Sequence, residues 1–349
     1  MGIFLALLAI LIAAAGLLLP PIQALLPRLG MFFYYRQALV RRLFLLAGII
    51  LAVIAIILWR STFAWIAFMI VFLFILAEEF LLVPRKVIPP LDDPPAKVLQ
   101  PADLPGEALV IGIQIGTRAH AYPLSVLIPH HIINETIADI PIAATYCPAC
   151  RSGYIYDPVV QGRRLTFEPV SVHRRNMIMR DRETGTVWQH ETGLALMGPF
   201  QGERLRILDS QMCNWKSWMA EHPATTVCQR PKGYRPPSPL GHVFEKLLDH
   251  GPEHLVGPGL RGLDHRLGQH EFIIGLSAGG MDKAYRLDDL KKAGVISDNL
   301  GEIMVILVYE AEADRVRAYK QKIGGEEIPV VRQWWLAWSE YHPGSALYD

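Results

Sequence analysis

ALVIGIQIGTRAHAYPLSVL, residues 108–127, aligns without a gap on EFIIGLSAGGMDKAYRLDDL, residues 271–290. Ile111, Gly112, Gly116, Ala121, Tyr122, Leu124 and Leu127 recur as Ile274, Gly275, Gly279, Ala284, Tyr285, Leu287 and Leu290. The register carries on through Ile133/Ile296, Ile140/Ile303 and Tyr146/Tyr309, and NWKSWMAEHP (residues 214–223) pairs with WWLAWSEYHP (residues 334–343). Self-similarity on this scale marks a duplicated unit. The expected fold is therefore α+β and strand-rich, built from two diverged copies of one unit: residues 108–230 and a degenerate second copy at 271–349.

Within a copy, VIGIQI and AHAYPL alternate about a glycine turn, as a hairpin does, and IPIAATY and GEIMVILVY are short β-branched runs bounded by turn signals. The paired tryptophans Trp215/Trp218 and Trp335/Trp338 stand at i, i+3 before a proline, which predicts a short helix laying its indoles on the sheet as core. Residues 231–270, rich in Pro, Gly and His, read as a connection with one short helix at VFEKLLDH. Its histidines, His242, His250, His254, His265 and His270, are irregularly spaced and read as solvated.

Upstream, residues 84–107 hold seven prolines and little pattern, which predicts an extended spacer. Residues 1–83 are overwhelmingly apolar and read as a membrane anchor. A span needs about 20 apolar residues: of three apolar stretches, about 62–83 qualifies, about 43–59 is at the short limit, and about 3–26 is long enough but interrupted by Pro20-Pro21. The expectation is about three transmembrane helices preceding the soluble region, hence a multi-pass cell-membrane protein whose partner is the lipid bilayer. Arg28, Arg36, Arg41 and Arg42 between the first two stretches put the soluble region on the cytoplasmic side by the positive-inside rule. A formal net charge of +1 gives no field to recruit a nucleic acid.

The chemistry-bearing feature is Tyr146-Cys147-Pro148-Ala149-Cys150, which the second copy replaces with Tyr309-Glu310-Ala311-Glu312-Ala313. RSGYIYD follows as a strand, so the thiol pair sits on a strand-turn-strand knuckle and not at the start of a helix. Such a C-P-x-C loop is the kind that zinc, iron or copper sites use. Four-fold closure needs further ligands, and His120, His130, His131, His173 and His190 lie in the same copy, with His130, His131 and His190 the preferred partners of Cys147 and Cys150. Three readings stay open: metal binding, thiol–disulfide chemistry, and a non-catalytic module that binds a small molecule or protein at the membrane and has structural cysteines. Cys213 and Cys228 read as packing residues. The charged cluster Asp181, Arg182, Glu183, Thr184 and Gly185 reads as a solvated hairpin tip, with Asp181 or Glu183 as a site carboxylate the alternative.

AYPLSVLIPHHIINETIADIPIAATYCPACRSGYIYD, the later DRETGTVW run and the WxxWxxxHP helix together resemble the bacterial family catalogued as domain of unknown function 3179, over about residues 108–349. The resemblance singles out His130, Asn134, Tyr146, Cys147, Cys150, Asn176, Asp181, Glu183 and Trp188. His131 stands where the family has an acidic residue, and Glu135 where it has aspartate. The family implies no reaction. Its members commonly look exported, which opposes the charge-based topology and leaves the side of the soluble region open.

Overall fold

Gly116 and Gly279 both adopt φ +59°, a left-handed conformation that suits glycine. They turn the two aligned stretches into hairpins: Leu109–Ile115 pairs antiparallel with Arg118–Pro123, and Phe272–Ala278 with Met281–Arg286. A seven-residue helix follows each, Leu124–His130 and Leu287–Ala293. Second hairpins come next, Ile132–Ile137 with Ile140–Cys147 and Val295–Leu300 with Ile303–Glu310. This computed structural model describes residues 1–19, 30–78, 83–98, 103–235 and 264–348, with a few positions between 238 and 246. His242, His250, His254 and most of the helix expected at VFEKLLDH fall outside them.

The architecture differs from the expected pair of α+β units. Among the described residues, five sheets of four or five strands stand in a propeller-like arrangement, with short helices between strands. The first stretch supplies three of them. One holds the hairpin Leu109–Pro123, closed by the returning strand Ser210–Asn214; one holds Ile132–Ile137, Ile140–Cys147 and Ser152–Asp157; one holds Phe167–His173, Asn176–Asp181, Val187–Gln189 and Ala195–Met197. The second stretch supplies two, the hairpin Phe272–Arg286 closed by Val330–Trp334, and the sheet from Val295–Leu300 to Glu327–Ile328. Local similarity conceals this inequality, because the sheet of residues 167–197 has no counterpart in the second stretch.

Trp215, Trp218, Trp335 and Trp338 are buried. A Cβ added at Gly112 would lie inside van der Waals contact of the Trp218 ring, and one at Gly275 inside that of Trp338. The recurring glycine therefore makes room for the recurring indole. The N–H groups of these two indoles are satisfied, Trp218 Nε1 donating to Thr225 Oγ1 at 2.9 Å and Trp338 Nε1 to Ser345 Oγ at 2.8 Å.

The proline-rich segment is no free spacer. Leu91–Asp92 pairs in parallel with Ile133 and Asn134, and Ala96–Val98 pairs antiparallel with Thr226–Cys228. Proline tolerates edge positions, where one side of the strand needs no ladder bond.

The three expected spans also need correction. Among the described residues, one helix, Gln37–Trp59, is long and apolar enough to cross a membrane, so a multi-pass arrangement is not supported. Its 23 residues reach about 35 Å at 1.5 Å each, beyond the ~30 Å hydrocarbon core. Gly2–Leu17 and Thr62–Ala77 have 16 residues each, about 24 Å. At the end of the described part of the third stretch, Glu78 pairs with Arg41 at 2.7 Å. These helices pack through small residues, Gly48 against Ala9 and Ala13 and Gly16 against Phe44, while Leu, Ile, Phe and Trp side chains face outward. The short helix Met31–Tyr35 docks them on the sheet of residues 167–197, where Tyr34 Oη donates to the Val172 carbonyl at 3.2 Å.

Candidate functional site

Ile140–Cys147 and Ser152–Asp157 form the expected knuckle, with Cys147 opposite Ser152. The turn closes when the Cys150 N–H donates to the Cys147 carbonyl at 3.1 Å, and Arg151 takes the left-handed position at φ +57°. The two sulfurs come to 2.9 Å as free, buried thiols.

A second hairpin fixes Cys150. Arg174 and Arg175 both have positive φ, +48° and +65°, the pattern of a two-residue turn between Phe167–His173 and Asn176–Asp181. That turn aims the Arg175 carbonyl at the thiol, and Cys150 Sγ donates to it at 2.9 Å. Asn176 Nδ2 donates to the same sulfur at 3.3 Å and to Glu191 Oε2 at 3.0 Å, while its own carbonyl accepts from Gln189 Nε2 at 2.8 Å. Burial, the Cys147 thiol and the Glu191 charge push the Cys150 thiol well above its ordinary value.

Glu191 is the centre of this network and is 3% exposed. It accepts from Tyr154 Oη at 2.8 Å, from Gln333 Nε2 at 2.6 Å and from Ser152 Oγ at 3.4 Å, besides Asn176. Burial raises its carboxyl above the usual range, and the Gln333, Tyr154 and Ser152 bonds pull the other way. Gln333 lies on Val330–Trp334, and the next residue's N–H, Trp334, donates to the Cys150 carbonyl at 3.0 Å. The site is thus shared between the two halves of the globular region.

The candidate histidines do not gather on the thiols. His130 is held at both ring nitrogens, Nδ1 donating to the Pro89 carbonyl at 2.8 Å and Nε2 accepting from Arg230 Nε at 3.1 Å. His131 caps the helix Leu124–His130 at φ +62°, and burial lowers it to about 4. His190 is fully buried, and its ring nitrogens find no hydrogen-bond partner among the described residues. Burial first, then nearby His131, lowers His190 to about 3. His173 packs edge-on against Tyr34, and His120 sits in a separate cluster, with Nδ1 2.7 Å from Thr226 Oγ1 and Nε2 3.5 Å from Glu135. Burial lowers His120 to about 4 and raises Glu135 to about 7. Among the described residues, no three His, Cys, Asp or Glu side chains converge as a metal-ligand set.

Several residues singled out by the resemblance prove to be internal braces. Asp181 is not solvated: it is fully buried and accepts from Trp188 Nε1 at 2.8 Å and from the Thr184 N–H at 2.6 Å. Glu183 takes the Thr166 N–H and hydroxyl at 2.8 and 2.7 Å. Asn134 exchanges bonds with the Phe167 backbone at 2.8 and 3.0 Å and donates to Asp92 at 2.9 Å. Tyr146 is buried, its N–H on the His131 carbonyl at 2.8 Å. Cys213 and Cys228 are buried free thiols packed in different clusters. GLSAG, residues 275–279, spells a G-x-S-x-G pattern, but Ser277 lies in a hairpin strand and not on a strand-to-helix elbow, and its hydroxyl donates to Asp282, whose other oxygen meets His342. Sequence reading missed Glu191, Ser152, Tyr154, Gln189 and Gln333. The one available signal for Glu191 was an ionisable residue directly after the short strand Val187–Gln189 and its adjoining histidine.

A family model described as a protein of unknown function, DUF3179, matches residues 85–332. No curated protein and no solved structure matches the chain.

Proposed function

The chain belongs to the DUF3179 family, and because that membership names no reaction we propose a function from the site itself: Cys147 and Cys150 form a reversible dithiol–disulfide pair in a protein anchored to a membrane by the helix Gln37–Trp59. The observation that carries this reading is the 2.9 Å separation of the two sulfurs on one tight turn. Two thiolates on a tetrahedral zinc stand about 3.8 Å apart, given Zn–S bonds of ~2.3 Å. The geometry therefore favours bond formation between the sulfurs over chelation by them.

Cys147 is the entry thiol, since Cys150 is locked by the Arg175 carbonyl and Asn176 and has a raised pKa. Cys147 Sγ attacks one sulfur of a partner disulfide, and the other partner sulfur leaves as thiolate. Cys150 Sγ then attacks Cys147 Sγ, giving up its proton to the released thiolate and expelling the second partner sulfur, which takes up the proton that Cys147 lost. The partner disulfide ends as two thiols, and the chain ends as a Cys147–Cys150 disulfide. Anchoring is supported by the length of Gln37–Trp59 and by the outward-facing Leu, Ile, Phe and Trp side chains around it.

The test is differential alkylation with peptide mapping of the full chain across glutathione redox buffers. With alkylation carried out on chain unfolded after equilibration, Cys147 and Cys150 are expected to gain and lose protection together and reversibly, and Cys147→Ser is expected to leave Cys150 alkylatable throughout. Failure of the pair to oxidise at any buffer ratio would overturn the redox reading and move the weight to a binding module with packed cysteines. Stoichiometric zinc, iron or copper lost in a Cys147→Ser, Cys150→Ser chain would move it to metal binding.

A further inference from the structure

Where the helix Gln37–Trp59 meets the sheet of residues 167–197, its first two turns, the strand end at Arg180 and the chain at Arg85 enclose a cavity of about 240 Å³. Its walls carry four guanidiniums, Arg41, Arg42, Arg85 and Arg180, against two carboxylates, Glu78 and Glu168. Arg41 is committed to Glu78 at 2.7 Å, and Glu168 lies 3.8 Å from Arg182, which also pairs with Asp92. Among the described residues, Arg42 and Arg85 pair with no carboxylate. Arg180 gives Nη2 to the Tyr34 and Tyr35 carbonyls at 2.9 and 3.2 Å, but its buried Nε has no acceptor. Burial is the main pressure against the Arg180 charge, and Arg85 adds to it. A second recess, sharing Arg85, Glu168 and Arg180, continues the cavity outward.

Guanidinium forks match the oxygens of a phosphate in charge and shape. Above the cavity, Leu39, Leu43, Leu46 and Ile50 form an exposed apolar stripe at helical spacing along the same helix. A phosphate held below an apolar track is the shape of a phospholipid. We propose that Arg42, Arg85 and Arg180 bind the phosphate of an anionic phospholipid whose acyl chain follows Leu39, Leu43, Leu46 and Ile50. This rests on the anchoring part of the function proposed above and is independent of the thiols.

The full chain, purified in detergent and reconstituted in vesicles of phosphatidylcholine alone or with phosphatidylglycerol, provides the test. Native mass spectrometry of chain released from the mixed vesicles should show retained phosphatidylglycerol in preference to phosphatidylcholine, with retention falling at least about tenfold in Arg42→Gln, Arg85→Gln, since two charge-assisted contacts are lost and the loss of one alone is worth roughly that factor. These two arginines are exposed, and Arg180→Gln is the confirming variant if it folds. Equal retention by wild type and the double variant would overturn the proposal, as would equal retention of the two lipids. Displacement of the lipid by millimolar inorganic phosphate would assign the cavity to free phosphate and overturn it too. Flotation with pure phosphatidylcholine vesicles separates the two ideas: a chain that floats but shows no headgroup preference keeps its anchor and loses this site, whereas a chain that does not float loses both.

Discussion

Acid should destabilise this fold through His190, and the size of the effect follows from its burial. The ring is fully buried, and its pKa falls from 6.5 to about 3. A lowered pKa means that the unfolded chain takes up a proton that the folded chain refuses, so stability is complete above the unfolded value and is lost as pH falls toward the folded one. Between about pH 7.5 and about pH 5 the loss is about 1.5 pKa units' worth, or ~2 kcal/mol at 1.36 kcal/mol per unit. His190→Leu removes the titration while keeping an apolar side chain of similar bulk, and it strands no hydrogen-bond partner among the described residues. Urea unfolding of the full chain in detergent, followed by tryptophan fluorescence at both pH values, gives the comparison. Wild type should lose about 2 kcal/mol more than the variant over that interval. Other buried histidines titrate in both proteins and cancel in the difference. Equal losses would refute the reasoning and mean that His190 is protonated in the folded state.

Glu135 runs the other way: its carboxyl is raised to about 7, so the stability it contributes is present below about pH 4.5 and lost as pH rises through 7. Glu135→Gln should therefore gain on wild type by up to ~3 kcal/mol from acid to alkaline pH, seen as a widening gap in melting temperature, and parallel profiles would show that the carboxylate is already ionised in the fold. Gly275→Ala places a methyl inside the Trp338 ring contact and should cost about 1–3 kcal/mol by thermal melting, whereas Ala at Gly185, which has open space but positive φ, should cost about 1 kcal/mol; equal effects would mean that the indole moves aside freely.

The sequence by itself determined what is local. Alternation and glycine punctuation placed the hairpins at 109–123 and 272–286, the i, i+3 tryptophans marked the two buried short helices, and C-P-A-C between two strands specified a knuckle. It also marked the apolar N-terminal region, although an apolar run shows composition and not where a helix ends, so a three-span count followed where one helix among the described residues has the length. Tertiary structure decided everything that depends on which residues meet across long separations. The sheet of residues 167–197, unmatched in the second stretch, brings the sheets of four or five strands among the described residues to five. Asp181, charged and in a turn motif, is buried, where it accepts the Trp188 indole N–H. His130 was drawn away from the thiols by Pro89 and Arg230, and the Cys150 neighbourhood was completed by Asn176, Glu191 and Gln333, the last 142 positions from Glu191. Periodicity follows from one chain's local geometry; a buried carboxylate and its donors are selected by packing, which no single stretch of sequence contains.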